Sequence, residues 1–254
     1  MPEGADPVLT ASIDQAGETD MAALIEGKAS VTDDMPPKVT GSVQLREAAA
    51  MGNAEAQFII ATRYLNGTDG VEQDFAKAAY WYGKASAAGN APAQYRLGTL
   101  YERGKGVARD MNAALGWYER AGALGNVKAM HNAAVLAAGN EQRDPDYARA
   151  FKWFSLGAAH GLKDSQFNLA VLLERGLGTK ANSKEALFWF SMAAKQNDAD
   201  ADKRADKLAK TLTPIDLQDT KERLANWTPE VAPDAANSVA VRDKAWQAEK
   251  PDAS

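Results

Sequence analysis

The residues of this chain that could support acid–base or metal chemistry are few and widely separated. It has two histidines, His131 and His160, and no cysteine, so thiolate chemistry, disulfides and cysteine metal sites are excluded. Neither histidine lies at metal-ligand spacing from another ligand. Glu102-Arg103 and Glu174-Arg175 recur, but adjacent residues diverge on a helix and cannot act as an acid–base pair. We therefore predict no catalytic residues, no metal site and no cofactor, and a protein that is not an enzyme.

A tryptophan recurs every 36 residues and is followed each time by a second aromatic residue. An alanine lies three residues before each tryptophan, and a glycine, or Asn197 in the last copy, lies eight residues after it. A helix-capping residue lies seven residues before it. The tryptophans are Trp81, Trp117, Trp153 and Trp189, and the capping residues are Asp74, Asp110, Asp146 and Asn182. Agreement at five positions in four copies identifies a repeat protein.

Each copy has the pattern of two helices joined by a turn. In the copy 91–126 the first helix begins near Ala91 and ends at Gly104, which can adopt the positive φ that ends a helix. Asp110 then caps the second helix, which runs to Gly125. Because one hairpin cannot bury its apolar face alone, the copies are expected to stack. We predict an all-α fold, a right-handed α-solenoid (superhelix) of about four and a half 36-residue helix-turn-helix repeats.

The repeats and the composition of their flanks define the predicted domains. Residues 1–40 are acidic, with a net charge of −6, and are predicted to be mostly disordered. Residues 41–228 form the solenoid, and residues 229–254 form a flexible tail. The solenoid consists of a half repeat (41–53), the full repeats 54–90, 91–126, 127–162 and 163–198, and a C-terminal cap (199–228).

Charge and hydrophobicity exclude some partners. The whole chain has a net charge of −5, and its repeat region carries about +3, which is too small for a nucleic-acid surface. No apolar stretch reaches 18 residues, so no transmembrane segment is predicted. The N-terminus also lacks the basic and apolar regions of a signal peptide.

The second copy, APAQYRLGTLYERGKGVARDMNAALGWYERAGALGN, resembles the consensus of the Sel-one-like repeat family, a relative of the tetratricopeptide repeat. The resemblance extends over residues 41–228 and implies a non-catalytic adaptor or scaffold. The stretches VKAMHNAAVL, DPDYARAFKWF and DSQFNLAVLLERGLG are similar, more narrowly, to the repeat region of PodJ-type polar localisation factors of alphaproteobacteria. That likeness implies a periplasmic location, as part of a larger membrane-anchored protein; a cytoplasmic location stays open.

The first helices of stacked hairpins line a concave face, where proteins of this kind hold peptides. The fifth position of each first helix carries a ring in all four copies, and the sixth carries a polar residue in the last three. The candidate protein-binding residues are Tyr95, Arg96, Thr99, His131, Asn132, Val135, Phe167 and Asn168. Two interpretations remain open. The rings and amides form a groove, or the rings belong to the core and the asparagines bond within the solenoid.

These observations favour a scaffold that binds a protein partner through its concave face, in bacterial polar localisation or envelope signalling. One alternative is direct binding of peptidoglycan or another envelope glycan. Another is a periplasmic regulatory inhibitor of a sensor protein, with the acidic N-terminal segment occupying the chain's own groove.

Overall fold

The computed structural model describes residues 35–139 and 144–238, and every regular element among them is helical. A 3₁₀ turn (Lys38–Thr40) precedes the first α-helix. The α-helices are α1 (Val43–Ala50), α2 (Ala54–Asn66), α3 (Phe75–Ala87), α4 (Ala91–Arg103), α5 (Met111–Ala123), α6 (Val127–Ala137), α7 (Tyr147–Ala159), α8 (Lys163–Arg175), α9 (Ser183–Ala194), α10 (Ala199–Ala209), α11 (Pro214–Asn226) and α12 (Asp234–Asn237).

Consecutive helices pack into hairpins, each with a first and a second helix. The four complete hairpins are α2–α3, α4–α5, α6–α7 and α8–α9. A second helix also packs on the first helix that follows it, as α3 does on α4, α7 on α8 and α9 on α10. This arrangement confirms the predicted all-α solenoid of helix-turn-helix repeats.

The hairpins belong to two compact units. The first unit contains the residues up to Asn126 together with those from Asp234 onward, and the second contains Val127–Pro233. The first therefore holds the hairpins α2–α3 and α4–α5 with α12. The second holds α6–α7 and α8–α9, followed by α10 and α11.

Each second helix begins at the capping residue that the sequence indicates. The side chains of Asp74, Asp110, Asp146 and Asn182 accept hydrogen bonds of 2.8–3.0 Å from backbone N–H groups two or three residues later. These N–H groups have no acceptor within the helix. The caps therefore determine where each second helix starts.

The repeating tryptophans and alanines form the packed interior of each unit. Every tryptophan of the repeat is less than a tenth exposed, and the alanine three residues before it is fully buried. The small alanine allows a neighbouring helix to approach closely, and the indole fills the adjacent space. The prediction that these tryptophans belong to the core is confirmed.

Two turn glycines allow successive hairpins to touch through their backbones. Gly106 has a φ of +74°, and a Cβ at this position would lie 2.1 Å from the carbonyl oxygen of Phe75 in the preceding hairpin. In the second unit Gly178 has a φ of +71°, and its Cβ would lie 2.1 Å from the carbonyl oxygen of Tyr147. Only glycine permits both the backbone angle and the close approach.

Residues 35–40, which the sequence assigns to the disordered segment, pack on the first unit in the structure. Thr40 and Pro36 are fully buried. The guanidinium of Arg63 donates a 2.6 Å hydrogen bond to the carbonyl oxygen of Thr40, and that of Arg46 donates to Pro36 at 3.2 Å. The prolines and these two arginines thus order the end of the segment. Residues 1–34 lie outside the described part of the chain.

Residues 229–238, which the sequence assigns to the flexible tail, also make specific contacts. In the second unit the Glu230 amide donates to the Ala159 carbonyl at 2.9 Å. In the first unit the Asn237 side chain donates to the Gly125 carbonyl at 2.8 Å. Both acceptors lie at the end of a second helix, where carbonyls lack helical partners. The rest of the tail lies outside the described residues.

Candidate functional site

The fifth-position ring of each first helix packs against the aromatic residue that follows the tryptophan on the second helix of the same hairpin. The ring centroids are 5.4–5.8 Å apart and the rings are tilted or perpendicular, which is the favoured geometry for aromatic pairs. The pairs are Phe58–Tyr82, Tyr95–Tyr118, His131–Phe154 and Phe167–Phe190. Phe58 is buried, whereas Tyr95, His131 and Phe167 are half-buried. The last three rings therefore belong to the core on one face and reach the surface on the other.

In the first unit a threonine at the ninth position supports each ring pair. The hydroxyls of Tyr82 and Thr62 are 2.9 Å apart, and the hydroxyl of Tyr118 donates to Thr99 at 3.2 Å. The same proton is shared with the carboxylate of Glu102, as in a bifurcated hydrogen bond. Thr99 is thus engaged inside the hairpin, since a buried phenol needs a polar partner.

Burial raises the pKa of Tyr82 to about 12, while its hydrogen bond to Thr62 and the charge of Arg96 act in the opposite direction. Arg96 therefore lies close enough to affect the ring pair of the preceding hairpin. Its guanidinium also lies 6.0 Å from the ring centroid of Tyr95. The first unit brings Tyr95, Arg96 and Thr99 together on α4.

In the second unit both partners of the hydroxyl pair are replaced by apolar residues. Val135 and Val171 stand where the first unit has threonine, and Phe154 and Phe190 stand where it has tyrosine. Neither exchange leaves a buried hydroxyl without a partner. Val135 is 44% exposed, so this position reaches solvent on α6.

His131 acts as a packing and hydrogen-bonding residue. Its Nδ1 lies 3.0 Å from the hydroxyl of Ser165 on α8, and its ring packs at a tilt against Phe154. Burial lowers the pKa of His131 below its ordinary value, and the nearby charge of Asp164 acts in the opposite direction. The neutral imidazole is therefore favoured at pH 7, in a position that links two first helices.

The two asparagines of the sixth position are half-buried and differ in their bonding. The Asn168 amide nitrogen donates to the Asp164 carbonyl of its own helix at 2.8 Å, which leaves its side-chain oxygen available. The side chain of Asn132 makes no hydrogen bond with the described residues. Bonding within the solenoid, the second of the two interpretations, therefore applies only to the amide nitrogen of Asn168. The side-chain donors and acceptor of Asn132 remain available to a partner.

Sequence reasoning missed Arg204, which occupies the sixth position of the incomplete fifth copy on α10. Its guanidinium lies 5.7 Å from the ring centroid of Phe167 and 5.3 Å from that of Phe190. It also pairs with Glu174 at 3.2 Å. Aligning residues 199–209 with the first helices of the repeats places Arg204 at the sixth position, over this ring pair. Its ion pair makes Glu174 a charge that joins two repeats.

A glutamine at the fourth position of three first helices was also missed. Its side chain donates to the carbonyl five residues after the preceding tryptophan, in Gln94 to Ser86 at 3.2 Å and in Gln166 to Ala158 at 3.3 Å. Gln57 donates in the same way to Ala49 at 3.0 Å. Its recurrence at one position in the sequence was the available signal. These bonds fix the stacking of consecutive repeats.

The candidate residues are therefore distributed over both units. Tyr95, Arg96 and Thr99 lie on α4 of the first; His131, Asn132 and Val135 lie on α6 and Phe167 and Asn168 on α8 of the second. Within residues 35–139 and 144–238, no group of three or more histidine, aspartate or glutamate side chains is placed to hold a metal ion. In the same part of the chain no helix is long and apolar enough to span a bilayer.

Comparison with known proteins places this architecture in a family. The model of the Sel1 repeat matches residues 54–90, 91–126, 127–162 and 163–198, more than half of the chain. The chain belongs to the Sel1 repeat family. Proteins of the Sel1 repeat family generally act as protein-interaction scaffolds and are typically non-catalytic. No curated protein matches the chain.

Two solved structures of bacterial proteins resemble this Sel1 repeat chain. One is a protective antigen present in uropathogenic Escherichia coli strains, displaying an SLR fold, with 25% identity and a TM-score of 0.61 over 92% of this chain and 49% of that one. The other is a Sel1 repeat protein from Oxalobacter formigenes, with 28% identity and a TM-score of 0.58 over 87% of this chain and 66% of that one. The chain thus spans about half of the first relative and less than two thirds of the second.

Proposed function

We propose that the protein is a non-catalytic scaffold that binds an extended segment of a protein partner on the first helices of its second unit. The binding residues are His131, Asn132 and Val135 on α6 with Phe167 and Asn168 on α8. The observation that carries the proposal is the available hydrogen-bonding capacity of Asn132 and Asn168, held beside half-buried rings.

The ring pairs make this surface suitable for binding because they hold it rigid. His131 and Phe167 are each packed on a buried phenylalanine, and the His131–Ser165 hydrogen bond joins α6 to α8. A partner therefore meets side chains that are already ordered, which lowers the entropic cost of association.

The polar groups of this surface suit a peptide backbone. An asparagine side chain presents one acceptor and two donors, which matches the carbonyl and N–H of an extended chain. Arg204 and Glu174 at the adjacent ring pair neutralise each other. Recognition by amides and exposed apolar groups such as Val135 is favoured over recognition by charge.

The setting that we propose is the bacterial envelope, in polar localisation or envelope signalling, with the periplasm as the compartment. Support comes from the resemblance of the repeats to PodJ-type polar localisation factors. The bacterial Sel1 repeat structures support the fold and the bacterial context.

The test is crosslinked capture of partners from separate envelope and cytosolic extracts, with Asn132→Ala/Asn168→Ala compared with the wild type. We expect a discrete envelope protein to be captured by the wild type and lost with the double variant. The melting temperature should barely change, because neither half-buried amide bonds to another helix, and substitutions outside the core usually alter stability by about 0.5 kcal/mol or less.

The matched control is Asn226→Ala. Asn226 on α11 makes the same bond to a carbonyl four residues earlier, at 2.9 Å, but lies outside the proposed surface. Capture that survives the double variant, or that is lost equally in the control, would contradict the proposal. Co-sedimentation with purified peptidoglycan sacculi, without a captured protein, would favour glycan binding instead.

A further inference from the structure

The last first helix of the second unit, α10, lacks the second helix that covers every other first helix of the repeats. In the four complete hairpins the two helices pack along each other. After α10 the chain turns at Thr213, and α11 packs on α9 instead. The position that a fifth second helix would occupy therefore remains open.

This opening is a groove of about 460 Å³ between α9 and α10. Its walls are Leu187, Ser191, Ala194, Lys195, Asp202, Ala205, Asp206 and Ala209. Two of these wall residues, Leu187 and Ala205, are themselves buried, as Leu97 is at the place of Ala205 in the second repeat. Asp206 is exposed, whereas Gly98 at its place in the second repeat is buried. A Cβ on Gly98 would lie 2.8 Å from the ring of Tyr118, so in the second repeat the equivalent space is filled by α5.

Two carboxylates distinguish the open groove from the equivalent spaces in the complete hairpins. Asp206 replaces the glycine or alanine that the complete first helices carry at the eighth position, and Asp202 replaces glutamine or methionine at the fourth. Both are exposed, and neither has an ion-pair partner among the described residues. Lys195, at the other wall, already donates to the Leu224 carbonyl at 2.7 Å.

The substitution at the eighth position determines which helix can enter. Because even a Cβ at Gly98 would contact the Tyr118 ring closely, a tyrosine or phenylalanine at that place in an incoming helix would collide with the larger Asp206. A lysine or arginine there would instead neutralise an exposed carboxylate.

We propose that the groove between α9 and α10 is a docking site for one amphipathic helix of a partner protein. The helix presents small apolar residues to the half-buried Ala194 and Ala209 and a lysine or arginine to the exposed Asp206. This site is separate from the surface of Asn132 and Asn168, and its existence does not depend on the proposed function.

The test uses two fluorescent peptides derived from the chain's own α5. One copies residues 110–124, and the other is the same peptide with lysine in place of Tyr118. Fluorescence anisotropy should show binding of the lysine peptide to the full chain, and binding of the tyrosine peptide weaker by about tenfold or more. The variant Asp206→Lys should weaken the lysine peptide by a similar factor, since like charges repel across the contact.

Asp200→Lys is the matched control, because Asp200 lies on the same helix in an exposed pair with Lys203 and outside the groove. It should leave binding of the lysine peptide unchanged, and so should Asn132→Ala/Asn168→Ala. A third peptide, with glutamate in place of Tyr118, should bind the Asp206→Lys variant better than it binds the wild type. The proposal is overturned by equal affinity for both original peptides, by no binding of either, or by equal weakening in Asp200→Lys.

Discussion

Ring pairs on adjacent helices carry out two tasks at the scale of single residues. In the first unit each pair carries a phenol that bonds to a threonine, and in the second a phenylalanine and a valine replace that tyrosine and threonine. The two changes go together, because a tyrosine facing valine would lose its threonine partner, and a buried hydroxyl left without a partner costs about 1–3 kcal/mol. The pairs thus complete the core while their outer faces shape the surface.

His131 should make stability depend on pH in the mildly acidic range. Burial lowers its pKa in the folded chain, so on acidification the unfolded chain takes up a proton first. The free energy of unfolding of the wild type should therefore fall as pH drops below about 6.5, the ordinary histidine value.

Urea unfolding between pH 8 and pH 5 measures this dependence. His131→Phe, which carries the residue found at this position in two other copies, should lose that part of the pH dependence. If the difference in unfolding free energy between wild type and variant is the same at pH 8 and pH 5, the buried neutral histidine is contradicted.

Residues of the core were easier to predict from the sequence than residues of the surface. The tryptophan and alanine represented by Trp117 and Ala114 keep the same spacing in every repeat because both must pack in the core, and the structure buries both. Asn132 and Asn168 share a position and a residue type, yet only Asn168 bonds to its own helix. Side-chain bonding of this kind depends on rotamers, which the spacing of residues does not determine.

Among the elements, the turns decide how closely hairpins stack. Gly106 brings the turn after α4 against the start of α3, and Gly178 repeats the contact between α8 and α7. The sequence predicts these turns from their glycines. The path of residues 229–238 was not predictable, because single polar side chains such as Asn237 hold it against helix ends and leave no periodic pattern.

Gly106→Ala should destabilise the first unit by more than about 2 kcal/mol, since it adds left-handed strain to a collision with a backbone carbonyl. The control is Gly116→Ala in α5. Gly116 lies inside a helix with nothing near the position of its Cβ, so alanine there should be neutral or stabilise by up to about 1 kcal/mol. Thermal and urea unfolding of both variants measure the difference. Equal stability of Gly106→Ala and the wild type would show that the turns do not limit stacking.

For the whole molecule, the sequence predicts the class of the protein better than its partner. The 36-residue period, the capping residues and the recurring apolar positions specify a Sel1 repeat solenoid. The repeat region carries a mild net charge of about +3. The function that we propose depends on what the repeats leave unfilled. Two such places lie in the second unit, namely the surface around Asn132 and Asn168 and the groove between α9 and α10.

The most direct test of the central claim, that partners bind on the first helices, is site-specific photo-crosslinking in the second unit. A benzophenone amino acid is placed at Val135 on the first helix α6, or at Leu156 on the second helix α7. The two positions are comparably exposed apolar residues, at 44% and 37%. We predict that position 135 crosslinks the captured envelope protein and that position 156 does not. Crosslinking from position 156 but not from position 135 would contradict the account.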